Sequence, residues 1–144
     1  MAEVLKFTGV REVVNNLRRA DRRYARGIER GLKKGGLFIQ RASQKEVPVD
    51  TGQMKASAFT RGEGTGFQTK VTVGYTVPYA LFVHERVEMK LKGQPRMPNP
   101  PHKGRYWDPI PRAKAKFLED PIRNNKEKVS QIVRDEAFRA KWEL

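Results

Sequence analysis

From Arg11 to Lys45 the chain contains no proline, and the apolar residues Val13, Val14, Leu17, Tyr24, Ile28, Leu32, Phe38 and Ile39 recur at steps of three, four and seven. Steps of that size bring side chains onto one face at 3.6 residues per turn, so the spacing predicts a single long amphipathic helix over 11–45. At 1.5 Å per residue it would measure roughly 50 Å. That exceeds the width of a compact body built from 144 residues, so the helix must project or bend. Thr8 or Gly9 is placed to cap its start, and Pro48 to end it, because proline disfavours helix at the residue before it.

Gly27, Gly31 and Gly35 fall at i, i+4 and i+8 on one face of this helix, with Gly36 beside them. Each lowers helix propensity by on the order of 1 kcal/mol relative to alanine. Two readings are open: the helix bends or breaks here, or the glycine face lets another backbone come close, from within the subunit or from a neighbour.

Charge is concentrated on the same segment. Residues 11–45 carry eleven basic side chains (Arg11, Arg18, Arg19, Arg22, Arg23, Arg26, Arg30, Lys33, Lys34, Arg41 and Lys45) against Glu12, Asp21 and Glu29. This local +8 is more than half of the net +14 of the whole chain. Such a surface attracts polyanions through sequence-independent phosphate contacts, or it mates with an acidic protein.

With 38% hydrophobic and 32% charged residues, the chain is expected to form a single domain, 1–144, with a small core. No apolar run approaches the roughly 18 to 20 residues of a membrane span. The first residues, Met1 to Phe7, lack the pattern of a signal peptide, so a cytoplasmic protein with no membrane partner is expected. The absence of cysteine excludes disulfides, a thiolate nucleophile and Cys-ligated metal, and His84 and His102 are too few for a three-histidine centre.

Downstream, Val47-Pro48-Val49-Asp50-Thr51-Gly52 is turn chemistry, in which Asp50 and Thr51 can hydrogen-bond nearby backbone and Gly52 can take a positive φ. Residues 54–60 fit a strand or a helical turn. From Phe67 to Tyr75 the pattern alternates, with Phe67, Thr69, Val71, Val73 and Tyr75 on one side and Gln68, Lys70 and Thr72 on the other, as in a half-buried antiparallel strand. A hairpin over 54–75 follows, its arms joined by a flexible stretch marked by Gly62, Gly64 and Gly66. Pro78 favours a short helix after it. Prolines from Pro95 to Pro111 predict an extended excursion over 88–111, and a helical region returns over 112–144 with a break at Pro121. The fold class expected is α+β: a long N-terminal helix and a C-terminal helix packed on a small antiparallel sheet, with a long proline-rich loop.

Catalytic signals are weak. Gly62-Glu63-Gly64-Thr65-Gly66 lacks the lysine and the strand-to-helix setting of a phosphate loop. His84-Glu85 offers a base beside an acid, but adjacent residues seldom face each other, and a structural or interface histidine is the simpler reading. Glu119 and Asp120 read as charges at a helix end. Arg105-Tyr106-Trp107 and Lys116-Phe117 interleave basic and aromatic side chains, a pattern that serves core or interface anchoring more often than base stacking. The expectation is no enzyme, no cofactor and no metal.

Three blocks together carry a resemblance: Val47-Pro48-Val49-Asp50-Thr51-Gly52-Gln53-Met54-Lys55-Ala56-Ser57, then Tyr79-Ala80-Leu81-Phe82-Val83-His84-Glu85, then Lys116-Phe117-Leu118-Glu119. They resemble the head-tail joining, neck and tail-completion proteins of long-tailed bacteriophages, over roughly residues 10–140. Met54 stands where that family usually has leucine, His84 is interposed before the acid, and Arg86-Val87 replaces an aromatic-Gly-Thr. The family motif carries over to Pro48, Asp50, Thr51, Gly52, Ser57, Tyr79, Ala80 and Glu85. The resemblance implies a structural virion protein, assembled in the host cytoplasm. Its subunits would form a homo-oligomeric ring at the head-tail junction or the upper end of the tail, hexameric if it follows tail symmetry. Its neighbours would be connector or stopper proteins and tail terminator or tail tube proteins. Arg18, Arg19, Arg22, Arg23, Arg26, Arg30, Lys33 and Lys34 would then face DNA in a channel or an acidic partner ring. The alternative is a basic nucleic-acid-binding protein acting through phosphate contacts alone.

Overall fold

Helix α1, Val10–Glu46, is unbroken through all four of its glycines. The hairpin and the last two helices pack on it in the computed structural model, which describes residues 10–48, 52–87 and 113–142. At 1.5 Å per residue its 37 residues span about 55 Å. It ends where Val47 donates to the Ser43 carbonyl at 3.0 Å and Pro48 follows, as the sequence predicts. The candidate caps Thr8 and Gly9 lie outside the described residues.

Next come helix α2 (Gln53–Ala56), strand β1 (Ala58–Glu63), a 3-10 turn (Gly66–Gln68), strand β2 (Lys70–Tyr75) and helix α3 (Ala80–Glu85). Helices α4 (Glu119–Asn124) and α5 (Lys126–Trp142) complete the described chain. The strands pair antiparallel with Ala58 opposite Tyr75 and Glu63 opposite Lys70. Val71, Val73 and Tyr75 are half-buried, while Lys70 and Thr72 are exposed. The class is α+β, with the two-stranded sheet and α5 both packed on α1. Among the described residues no helix is long and apolar enough to cross a membrane.

The glycine face is a close approach within the subunit. A Cβ on Gly27 would stand 2.7 Å from the Ala137 Cα, on Gly31 2.6 Å from the Val133 Cα, and on Gly35 2.9 Å from a Val129 methyl. As the number rises along α1 it falls along α5, so the helices run antiparallel. Gly36 serves the other side of α1: a Cβ there would meet Val71 Cγ1 at 2.6 Å and Thr60 Cγ2 at 2.8 Å. One helix thus admits a helix backbone on one face and a hairpin on another.

Three expectations need correction. The hairpin begins at Ala58 rather than 54, because α2 turns Met54 into the core and is closed by Ala56 N–H to Gly52 O (2.9 Å) and Ser57 N–H to Gln53 O (3.0 Å). Phe67 to Thr69 do not extend β2; Gly64 and Gly66 at positive φ fold the connection back onto α1, where the Gly66 N–H donates to Glu29 at 3.2 Å. Pro121 sits inside the first turn of α4, where no N–H is needed, and the break falls at Asn125. The Asn125 backbone and side-chain amides both donate to the Pro121 carbonyl (3.1 and 2.8 Å). The excursion expected over 88–111 lies outside the described residues, as do His102, Arg105, Tyr106 and Trp107.

Candidate functional site

One buried cluster draws on all three motif blocks, beside the buried Ala25, Ile39, Ala113, Ala137 and Ala140 that lie outside them. Val47 and Met54 from the first, Ala80 from the second and Phe117 from the third form one cluster, lined by Tyr75, Val77, Val83 and Leu118. Phe117, 1% exposed, receives the Tyr75 ring edge-on at 5.2 Å and the His84 ring edge-on at 5.1 Å. The Tyr75 hydroxyl reaches the fully buried Ser43 hydroxyl at 2.6 Å, and burial pushes the Tyr75 phenol up. Gly52 takes φ +82°, the positive value expected of it, in the lead-in to α2. Ser57 closes α2 by donating its hydroxyl to the Met54 carbonyl at 2.8 Å. Tyr79 is exposed just before the buried Ala80. Asp50 and Thr51 lie outside the described residues.

His84 and Glu85 do face each other, contrary to the sequence expectation: Nδ1 lies 2.8 Å from a Glu85 carboxylate oxygen. A carboxylate only accepts, so Nδ1 carries the hydrogen, and Nε2 accepts the Glu119 backbone N–H at 3.3 Å. Both imidazole nitrogens are engaged, and the second caps the first residue of α4. The other Glu85 oxygen binds the Lys116 ammonium at 2.5 Å; Lys116 first and His84 second hold the Glu85 carboxyl below its ordinary value. Lys116 has a left-handed backbone, φ +56°, pinned by its N–H to the His84 carbonyl at 2.9 Å. This arrangement joins α3 to α4.

The charged candidates spread from the side of α1 opposite α5 to the flank that meets it, where Lys34 and Arg30 reach Glu136. At about 100° per residue, Val13 and Leu17 share the face of Gly27, Gly31 and Gly35, whereas Arg18, Arg22 and Arg26 lie on the other side with Arg19 and Arg23 next to them. In the register of the glycine contacts, Trp142 at the end of α5 comes level with Arg22, and the hairpin turn reaches α1 at Ala25. Residues 11–22 are all exposed beyond these supports, an arm of about 18 Å.

The eight basic residues divide into two sets. Lys34 binds Glu136 of α5 at 2.6 Å, with Arg139 at 3.4 Å and Arg30 at 4.0 Å from the same carboxylate. Lys33 binds Glu29 at 2.7 Å. Lys34 in the first case and Lys33 in the second are the main reasons that Glu136 and Glu29 are held below their ordinary carboxyl values. Among the described residues no carboxylate pairs with Arg18, Arg19, Arg22, Arg23 or Arg26; the Arg22 Nε donates to the Arg18 carbonyl at 3.3 Å. Sequence reasoning missed Glu136, which is buried between the helices. The readable signal was an acid on the otherwise apolar face Val129, Val133, Ala137, Ala140.

Among the described residues no three His, Asp or Glu side chains gather as metal ligands would. No protein-family model, curated protein or solved structure matches the chain.

Proposed function

We propose that the chain is a structural virion subunit of a tailed bacteriophage, forming a homo-oligomeric ring at the head-tail junction or the upper end of the tail. The observation that carries this reading is the meeting of the three resembling blocks in one core. Short matches scattered by chance over seventy residues have no reason to pack on one another, whereas residues that specify a shared fold do. Val47, Met54, Ala80 and Phe117 make that cluster, with Pro48 directly after the end of α1 and Gly52, at positive φ, leading into α2.

A second feature supports assembly. The α1 face that buries α5 continues through Leu17 (63% exposed) and Val13 (58% exposed) past the end of α5. An apolar strip on a projecting helix suits a heterologous contact that closes into a ring. The neighbours would be the phage connector or stopper on one side and the tail terminator or tube on the other.

Native mass spectrometry of the purified chain, without nucleic acid and at low and high salt, tests the proposal. A discrete ring-sized oligomer is expected, or a monomer that adds only to connector or tail components. A chain that stays monomeric or dimeric and joins neither would refute it.

A further inference from the structure

We propose that the arm of α1 docks on double-stranded nucleic acid, with the guanidinium groups of Arg18, Arg19, Arg22, Arg23 and Arg26 on the phosphate backbone. The inference goes beyond the assembly reading and does not require it. The five arginines lie within nine residues, about 12 Å of helix, and among the described residues none has a carboxylate partner. The basic residues nearer the body are already engaged by Glu29 and Glu136. Glu29 and Glu136 thus engage Arg30, Lys33 and Lys34 where α5 and the hairpin pack, and leave Arg18, Arg19 and Arg22 on the exposed arm and Arg23 and Arg26 at its base without a carboxylate.

The chemistry of this strip favours a nucleic acid over an acidic protein. Protein interfaces centre on apolar anchors and deplete charge at the middle. Here the residues between and beside the arginines on that face are the polar Asn15, Asn16 and Glu12, with Val14 at its edge beside Arg18, and the apolar Val13 and Leu17 point elsewhere. A duplex presents one charge per about 1.7 Å of axis, dense enough to meet five guanidiniums at once. Guanidinium pairs with phosphate through two parallel hydrogen bonds. A bare helix, about 10 to 12 Å across, also matches the width of the major groove. A second copy of this chain would bring like charge against the strip and is disfavoured.

The test is binding of the full chain to a short random-sequence duplex, followed by fluorescence anisotropy over a range of salt. The expected slope of log affinity against log salt is about −4 to −5, the value for five phosphate contacts. Arg22→Gln and Arg26→Gln should each make that slope shallower by about 1, with the thermal midpoint unchanged because both side chains are exposed. Lys33→Gln, which removes the same charge from a residue already paired, should leave the slope as it was. If Lys33→Gln acts as strongly as Arg22→Gln, binding follows net charge and the proposal fails. It also fails if poly-glutamate displaces the duplex as well as unlabelled duplex does at equal charge, since the arm would then read acidic polypeptide. Native mass spectrometry of the same variants keeps assembly separate: rings that persist while the slope collapses, or the reverse, identify which reading has failed.

Discussion

Gly31 of α1 and Val133 of α5 approach so closely that a Cβ on the glycine would stand 2.6 Å from the valine Cα, with the Val133 carbonyl oxygen at 3.2 Å. The obstruction is backbone, so no rotamer change relieves it. Gly31→Ala should therefore destabilise the chain by about 1–3 kcal/mol, even though alanine is the better helix former by about 1 kcal/mol. Gly27→Ala should behave alike, with the Ala137 Cα at 2.7 Å. Urea denaturation of the two variants checks this; a gain in stability from either would mean that α5 does not lie where it is described.

Gly52 presents the opposite case. A Cβ there would have nothing within 4 Å, yet φ is +82°. The penalty of substitution comes from backbone conformation alone, on the order of 1–2 kcal/mol. Gly52→Val should lower the thermal midpoint and, if the proposed ring forms, impair its assembly, whereas Gly52→Asn, which tolerates this region, should recover much of the loss. An unchanged midpoint with normal rings in Gly52→Val would remove the turn from the account of the fold.

Lys116 separates side-chain from backbone energetics. Its φ of +56° is strained for a residue with a Cβ, and its ammonium reaches Glu85 and Glu119. Lys116→Ala loses those contacts and keeps the strain, whereas Lys116→Gly loses them and relieves it. Lys116→Gly should be the more stable of the two by about 0.5–1 kcal/mol, after allowance for the greater freedom of glycine in the unfolded chain. Paired thermal melts decide the sign.

The parts of the fold legible in the sequence were those written in local periodicity or in a single residue's conformational needs. The long helix, its end at Pro48, the alternation of Val71, Val73 and Tyr75 and the positive φ at Gly52 are of this kind. Relationships between distant residues were not legible. The glycine stripe fitted either a bend or a close approach, because the deciding partner, α5, lies a hundred residues away. The basic run read as uniform, although Glu29 and Glu136 divide it, and Glu136 reaches Lys34 only once the helices are in register. His84 was set apart from Glu85 on the rule that neighbours in sequence diverge. At the end of a short helix that rule fails, and Lys116 and Glu119 complete the contact from across the chain.

Acid should weaken the fold, and the carboxylates show in which direction. Glu136, Glu85 and Glu29 are all held below their ordinary values, by Lys34, Lys116 and Lys33 respectively. A carboxyl with a depressed value in the folded state binds fewer protons there than in the unfolded chain. Its contribution is therefore complete above the unfolded carboxyl value and is lost as pH falls through the folded one. The urea midpoint should stay level from neutral pH down to the ordinary carboxyl range and then drop. Glu136 lies nearest the helix contact, buried between the Gly27 and Gly31 approaches, so Glu136→Gln should flatten that drop more than Glu29→Gln, whose less buried carboxylate meets Lys33 and the Gly66 N–H of the hairpin connection. Glu136→Gln should also lower stability at neutral pH, because Lys34, Arg30 and Arg139 then crowd together without an anion between them. A Glu136→Gln variant with the parent's pH profile would show that the ion cluster contributes nothing to holding α5 on α1.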